Sequence, residues 1–513
     1  MSDHRRSRQR QREEEEARMR EIERRRRIAR QRKRRRQIMR RRMILAGIGL
    51  LLLLIGIIAG IVVIRGKLEE KKAQEAREKK QQEEEAARLE EENNTLHMVA
   101  VGDNMIHDAI IKAGKSRDWN FDFLYENIKE DIEGADLASV NQETPFVKSH
   151  SEAAGYPDFA TPTEVGDALA GAGFDIVTHA TEHTFDQEAD GVINSVSFWK
   201  KNYPEVVRLG IHSDEDEKNY ELLEVKNFKI ALLNYSTMLS ENHKIEKDEA
   251  YMIDLYSEKT VKEDLKAAKE DADLTIVYLH GGKADSTEPD EKLKEKVDYL
   301  AEQGADVILC SHPHVLKGYE LIKREDRGET LVYYSLGNFV SGQTELENLL
   351  GGMADFTIKK DADSGKISIE EYSLEPLVMH YNSDFSEAGI YKLSDYTEEL
   401  AKEHGCSQQD SSDSEGEENG QDSLNNPEDE TGEEEDSGFS LKALQKAADA
   451  VGELAWKKME IRKIPRRISD SKKVGQGAAV ICGSPVFLHS SPGSREKFVC
   501  RNLIVHEFQA VLG

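Results

Sequence analysis

The chain has 513 residues, 33% charged and 38% hydrophobic, so much of it is solvated rather than core. Four cysteines in so long a chain do not make a disulfide framework, although Cys482 and Cys500 could pair; with no C-x-x-C among them, a zinc ribbon and a thioredoxin-like redox motif are excluded. The formal net charge of −28 hides an asymmetry: residues 1–42 carry 20 Lys/Arg against 7 Asp/Glu, and everything after Arg42 sums to −41.

The first element is that basic segment, residues 1–42, with arginine runs at 24–27, 34–36 and 40–42. Residues 43–64, MILAGIGLLLLLIGIIAGIVVI, follow without a single charge. A helix of that length rises about 30 Å, the thickness of the hydrocarbon core. A cleaved signal peptide competes, but its apolar region is shorter and a small-residue cleavage site should follow; here Arg65 and Lys67 follow. The expectation is an uncleaved single-pass transmembrane helix in the cell membrane. The arginines hold the N-terminus in the cytoplasm and place the main domain outside. They lack interleaved aromatics, so the partner expected for them is anionic membrane lipid, and no nucleic acid partner is expected.

Residues 65–94 are rich in Glu, Lys, Arg, Gln and Ala with few apolar positions, which predicts an exposed, charged helical stalk. It lacks the repeating apolar positions of a coiled coil. From residue 95 the texture changes. Short apolar runs (HMVAVGD, DLASVNQE, FDIVTHATEH, KIALLNYS, LTIVYLHGG, ADVILCSHPH, LVYYSLGNF) alternate with amphipathic stretches such as 163–172, 257–271 and 288–303. Buried strands alternating with helices predict an α/β domain with its sheet covered on both faces, over residues 95–400. MADFTIKK and KISIEEYSLEPL read as an antiparallel hairpin closing it near Val378. Residues 401–438 form an acidic linker, with 13 acidic residues and no Lys/Arg between Cys406 and Asp436, which predicts disorder. Residues 439–513 are a tail of unknown role, with one amphipathic helix expected over 441–459.

The polar residues of the α/β region fall at strand ends. Asp103 follows HMVAVG, Glu143 follows LASVNQ, and His179, Glu182 and His183 follow FDIVT. His280 ends LTIVYL, His312 and His314 flank Pro313 after DVILCS, and Asn338 follows LVYYSLG. The carboxyl ends of strands are where ligands bind in open α/β sheets, so these groups should converge. Several imidazoles with carboxylates in one crevice suit a borderline divalent ion, Zn²⁺, Mn²⁺ or Fe²⁺. Two such ions can clamp a phosphoryl group and generate hydroxide near neutral pH. The H-P-H unit is expected to aim alternate side chains the same way from an extended loop. Each residue alone has an ordinary reading: Asp103 as a helix cap, Glu143 as a surface carboxylate, a histidine as a hydrogen-bonded structural group. His107, His179 and Asp186 are candidates for supporting roles only.

VGDNMIHD, NQETP, THATEHTFDQEADG, LHGG, SHPHV and YSLGNFV, in this order, resemble the CapA family of capsule or poly-γ-glutamate synthesis proteins, related to calcineurin-like metallophosphoesterases. The resemblance runs from about Leu96 to Val378. It implies a four-layer α/β/β/α metallophosphoesterase-like core and a metal-site set of Asp103, Glu143, His183, His280, His312 and His314. The sequence departs from the family at Glu182, where an Asn is usual and where a carboxylate can still ligate. It departs again at His280-Gly281-Gly282, where His-Trp-Gly is usual, and at Cys310-Ser311, where only part of the usual Gly-His remains.

Two functions follow. In the first, an outside-facing metal-dependent hydrolase or transferase attacks a phosphate ester or related bond in an envelope polymer, with His183 or His280 as acid or charge stabiliser. In the second, a non-catalytic subunit holds an anionic polymer or its synthesis complex. The domain is itself acidic, so polymer capture would need a metal or a local basic groove.

Overall fold

The computed structural model describes residues 3–240, 242–324, 328–407, 439–457 and 462–463. The chain divides into two compact units, Met1–Glu90 and Glu91–Gly513.

The described residues of the first unit lie within one helix, Asp3–Asn93. It contains the stretch, long and apolar enough to cross a membrane, that the sequence marked at 43–64. The side chains there are exposed, with nothing packed on them. Outside that stretch, i,i+4 pairs such as Arg20–Glu16 (3.0 Å), Arg25–Glu21 (2.7 Å) and Lys71–Glu75 (3.6 Å) line the surface. A helix polar all round depends on such pairs.

The second unit is built on two facing sheets. In the first, the strands run in the order Ala388–Lys392, Ile367–Tyr381, Leu350–Lys360, Thr95–Asn104, Leu137–Gln142, Ile176–Thr178 and Val207–Leu209, with Asn338–Val340 also paired to Thr95–Asn104. It is parallel from Thr95–Asn104 to Val207–Leu209 and antiparallel on the other side. The second sheet runs Arg462–Lys463, Tyr319–Arg324, Gly328–Tyr333, Val307–Ser311, Leu274–His280, Phe228–Ser236 and Tyr220–Val225.

Strand alternation sorts the apolar side chains into layers. Leu96, Met98 and Ala100 point toward the second sheet and pack with Ile230, Leu232, Ile276 and Leu331. Val99 and Val101 point the other way, into a core shared with Ile110, Val165, Leu169 and Trp199 from the helices Asp108–Lys115, Glu164–Ala172 and Glu188–Asn202. On the outer face of the second sheet, Leu233, Val277 and Ile308 meet Val261, Leu265, Val297 and Leu300 from the helices Glu258–Asp271 and Glu291–Gln303. The result is the four-layer α/β/β/α arrangement, in which central strands are buried on both faces. Local chemistry agrees with it: Ser257 and Asp290 cap their helices, accepting from the N–H groups of Thr260 (3.0 Å) and Leu293 (3.1 Å). Gly173 and Gly304 end helices with φ +101.

The hairpin expected from MADFTIKK and KISIEEYSLEPL forms, with Leu350 opposite Val378. It does not close the domain. Ala388–Lys392 adds an edge strand, and the helix Glu398–Glu403 leads to the buried side chains of His404 and Cys406. The helix expected over 441–459 spans Leu441–Lys457, and its Leu441, Leu444 and Ala448 pack with Leu350, Val378, Leu393 and Tyr396. The packed core therefore extends past the boundary expected at residue 400, because apolar positions resume there on one helical face. The acidic run 408–438 and the tail beyond 463 lie outside the described residues.

Candidate metal centre

Asp103 sits at the end of its strand, completely buried. The register of Thr95–Asn104 against Leu137–Gln142 shifts between Val101 and Asp103, setting Asp103 beside Asn141 on one side and Asn338 on the other. The Asp103 N–H donates to the Gly337 carbonyl at 2.9 Å. Asn141 Nδ2 donates to Asp103 Oδ1 (2.8 Å) and to Glu143 Oε2 (3.2 Å), while Thr178 donates to Asn141 Oδ1 (2.8 Å). One amide thus orients two carboxylates. The sequence reading missed Asn141; the available signal was its place two residues before Glu143, on the same face of an extended chain.

From the second sheet, the turn after Val307–Ser311 brings His312 and His314. The His312 N–H donates to Asp103 Oδ2 at 3.2 Å. His314 Nδ1 lies 3.2 Å from Asp103 Oδ2, and its Nε2 lies 3.7 Å from Glu143 Oε1. The loop is not extended as expected: His312 and His314 both have positive φ, +94 and +59. Non-glycine residues in that region cost of order 1–3 kcal/mol each and persist where the surroundings fix them. Here Asn348 Nδ2 holds the His314 carbonyl at 3.2 Å.

Glu182, the departure from the family pattern, follows a strand of the first sheet and contacts two histidines of the second. Its Oε1 meets His312 Nδ1 at 2.7 Å and its Oε2 meets His280 Nε2, while His280 Nδ1 meets Ser311 Oγ at 2.8 Å. His183 Nδ1 donates to Asp186 Oδ2 at 2.7 Å, which leaves its Nε2 for a ligand. At Gly281 a Cβ would lie 2.8 Å from Thr237 Cγ2 and closer still to Thr237 Oγ1. The structure has no room there for the side chain that the family pattern carries unless Thr237 moves.

The seven candidate ligands come together in three overlapping groups: Asp103–Glu143–His314, Glu182–His280–His312 and Glu143–Glu182–His183. Within each, one donor atom per residue lies within 4.8 Å of the others, and each residue is buried. These groups can hold divalent metal ions. The electrostatics suit a cation-binding site. Burial, reinforced by Asp103 and Glu182, pushes the Glu143 carboxyl well above its ordinary value. Burial also works against ionised Asp103 and Glu182, but the imidazoles outweigh it: His314 and His280 hold Asp103 down, and His280 and His312 hold Glu182 well down. Glu143 Oε1 and Asp186 Oδ1 are buried without a hydrogen-bond partner, and His314 Nδ1 is close to Asp103 without hydrogen-bond geometry. Buried carboxylate oxygens of this kind are otherwise satisfied by protons or cations.

The remaining candidates stand aside. His179 Nε2 accepts from Trp199 Nε1 at 2.8 Å, and burial drives its imidazole down to about 3. The Asn338 amide donates to Gln343 Oε1 (2.6 Å) and the Asn348 carbonyl (2.9 Å). His107 Nδ1 accepts from the Gly342 N–H at 3.1 Å. Asp186 does support the site, through His183.

Residues 97–343 match the family described as bacterial capsule synthesis protein PGA_cap. The chain is 24% identical over 293 residues to the capsule biosynthesis protein CapA of Bacillus anthracis, covering 55% of this chain and 69% of that protein. It is 22% identical over 263 residues to the PGA biosynthesis protein CapA of Bacillus subtilis (strain 168), covering 51% and 67%. Among solved structures, a putative 5′-nucleotidase from Staphylococcus aureus aligns with a TM-score of 0.35 and 16% identity, over 55% of this chain and 54% of that one. The NAD nucleotidase of Haemophilus influenzae aligns with a TM-score of 0.31 and 15% identity, over 60% and 61%.

Proposed function

Since the domain of residues 97–343 belongs to the bacterial capsule synthesis protein family PGA_cap, we propose that this chain acts in capsule or poly-γ-glutamate biosynthesis or export through a divalent-metal site of phosphoesterase type. The observation that carries the proposal is the buried convergence of Asp103, Glu143, Glu182, His183, His280, His312 and His314 from both sheets. These residues would hold the ions, Mn, Fe or Zn. Bound there, such ions supply Lewis-acid polarisation of a phosphoryl oxygen and activation of water. The chain's own groups do the rest. Asn141 fixes the two carboxylates, the positive-φ turn fixes His312 and His314, and Asp186 sets the His183 tautomer so that the Nε2 lone pair faces the ions. His280 Nδ1 meets Ser311 Oγ and its Nε2 meets Glu182, so a ligand role for Nε2 requires Ser311 to accept from Nδ1.

The test uses the full chain in detergent with Mn²⁺ and a generic phosphodiester. Metal retention and turnover are expected, with both lost on His312→Ala. A wild-type chain that takes up no metal would reject the site, whereas metal uptake without turnover on any ester would favour the scaffold reading.

The same proposal makes residues 43–64 a membrane anchor, with residues 1–42 cytoplasmic against anionic lipid and the domain outside, in reach of an anionic envelope polymer or its synthesis complex. Protease added to intact cells should then digest the domain and spare the N-terminal basic segment. Protection of the domain would reverse the orientation.

A further inference from the structure

Next to the metal centre lies a cavity of about 520 Å³, in the range of small-molecule sites. His107, Asp108, Tyr156, Thr344, Tyr381 and Phe385 line it. One aromatic ring separates it from the candidate ligands: Phe159 packs edge-on against His107 at 5.2 Å and against His183 at 4.8 Å. A substrate reacting at His183 thus has a built recess within reach of its remainder.

The lining chemistry narrows what fits. Among the described residues no Lys or Arg contributes to it, and the one carboxylate is Asp108, held by the Gly155 N–H donating to its Oδ1 at 2.8 Å. The His107 imidazole is kept neutral by burial, which drives it down to about 4. An anionic group would find nothing there to neutralise it and one charge to repel it. Tyr381 and Phe385 are closed on each other, with centroids 4.2 Å apart and planes at 9°, so there is no slot between them for a flat base. They leave an aromatic wall whose negative faces attract polarised C–H groups. The hydroxyls of Thr344 and Ser383 and the Asp108 carboxylate offer partners for substrate hydroxyls. Tyr156, 71% exposed, stands at the rim.

We propose that this cavity binds an uncharged, hydroxyl-bearing ring, a pyranose unit, of the molecule that reacts at the metal centre. The adjoining reaction rests on the metal-site reading; the ring's binding does not. The γ-glutamyl side of an anionic polymer is excluded from the recess by the same charges.

Saturation-transfer NMR on the full chain in detergent, once with EDTA and once with Mn²⁺, tests this with methyl β-D-glucopyranoside, a γ-linked glutamate trimer and adenosine as probes. Transfer is expected to the glucoside alone, in EDTA as in Mn²⁺. Asp108→Asn and Tyr156→Ala should each weaken it about tenfold, as loss of one charge-assisted bond or of one aromatic contact at the rim does. The melting temperature should hold, since both residues are exposed; should Asp108→Asn disturb folding, Tyr156→Ala decides. Absence of glucoside binding, binding indifferent to both substitutions, or binding of the trimer or adenosine instead would overturn the proposal. Glucoside binding without Mn²⁺ uptake would remove the metal reading alone, and the converse would remove the cavity alone.

Discussion

Asp103→Asn is expected to weaken Mn²⁺ binding by about 100-fold, the upper end of what even supporting residues of metal sites cost when removed. Asp103 faces donors on both oxygens: Asn141 Nδ2 at Oδ1 and the His312 N–H at Oδ2. An amide in its place has one oxygen, so one donor would confront another, and the charge that draws a cation is gone. The confrontation costs about 1–3 kcal/mol as an unsatisfied buried donor, partly offset because a buried charge has been removed. The metal-dependent gain in stability separates the two effects. At a free concentration 1,000 times its dissociation constant, an ion stabilises the folded state by about 4 kcal/mol, and at ten times by about 1.4 kcal/mol. Thermal melts with Mn²⁺ and with EDTA should therefore show a large metal-dependent rise for the wild-type chain and a small one for the variant. Equal rises in both would mean that Asp103 is no ligand.

Much of this candidate site is legible in the sequence. Strand-end polar residues are a readable signal because a buried strand is apolar along its length, so Asp103, Glu143, His280 and His312 mark where burial gives way to a crevice. The convergence of residues 103 to 314 follows from parallel strands ending at one rim. What stayed hidden depends on contacts between distant segments. Asn141 reads as one polar residue within a strand until Thr178, on the neighbouring strand, is seen to hold its amide toward two carboxylates. The positive φ of His312 and His314 has no sequence mark, since neither is glycine; it is imposed by bonds to Asp103 and Asn348. The helix Leu441–Lys457 was readable as a helix, but its docking on Leu350 and Val378 was not, because an amphipathic face does not name its partner.

Gly102→Ala should be the most disruptive single methyl in the domain, and it tests the placement of Asp103 from the backbone side. A Cβ at 102 would lie 2.8 Å from the Leu336 carbonyl oxygen and nearer still to that of Gly337. Neither atom is the end of a flexible side chain; both belong to the segment that pairs with Thr95–Asn104 through Asn338. The facing residue cannot retreat either, because a Cβ at Gly337 would itself meet the Leu350 carbonyl at 2.6 Å, and Gly337 has φ +62. Relief therefore requires separating two backbones in the core, which breaks the Asp103 N–H bond to Gly337 and moves the Asp103 carboxylate away from His312 and His314. Overpacking a core by a methyl costs about 1–3 kcal/mol, more when backbone must move, so a loss of about 3 kcal/mol or a melting point lower by about 6–10 °C is expected. Gly171→Ala is the control: its Cβ would meet nothing within 4 Å, and in its helix the methyl should be neutral or stabilising by about 0.5–1 kcal/mol. Mn²⁺ affinity should fall with stability in the first variant and stay put in the second. A Gly102→Ala chain that melts and binds Mn²⁺ as the wild type does would show that residues 102–103 do not lie against 336–338, and the metal centre would lose its first ligand.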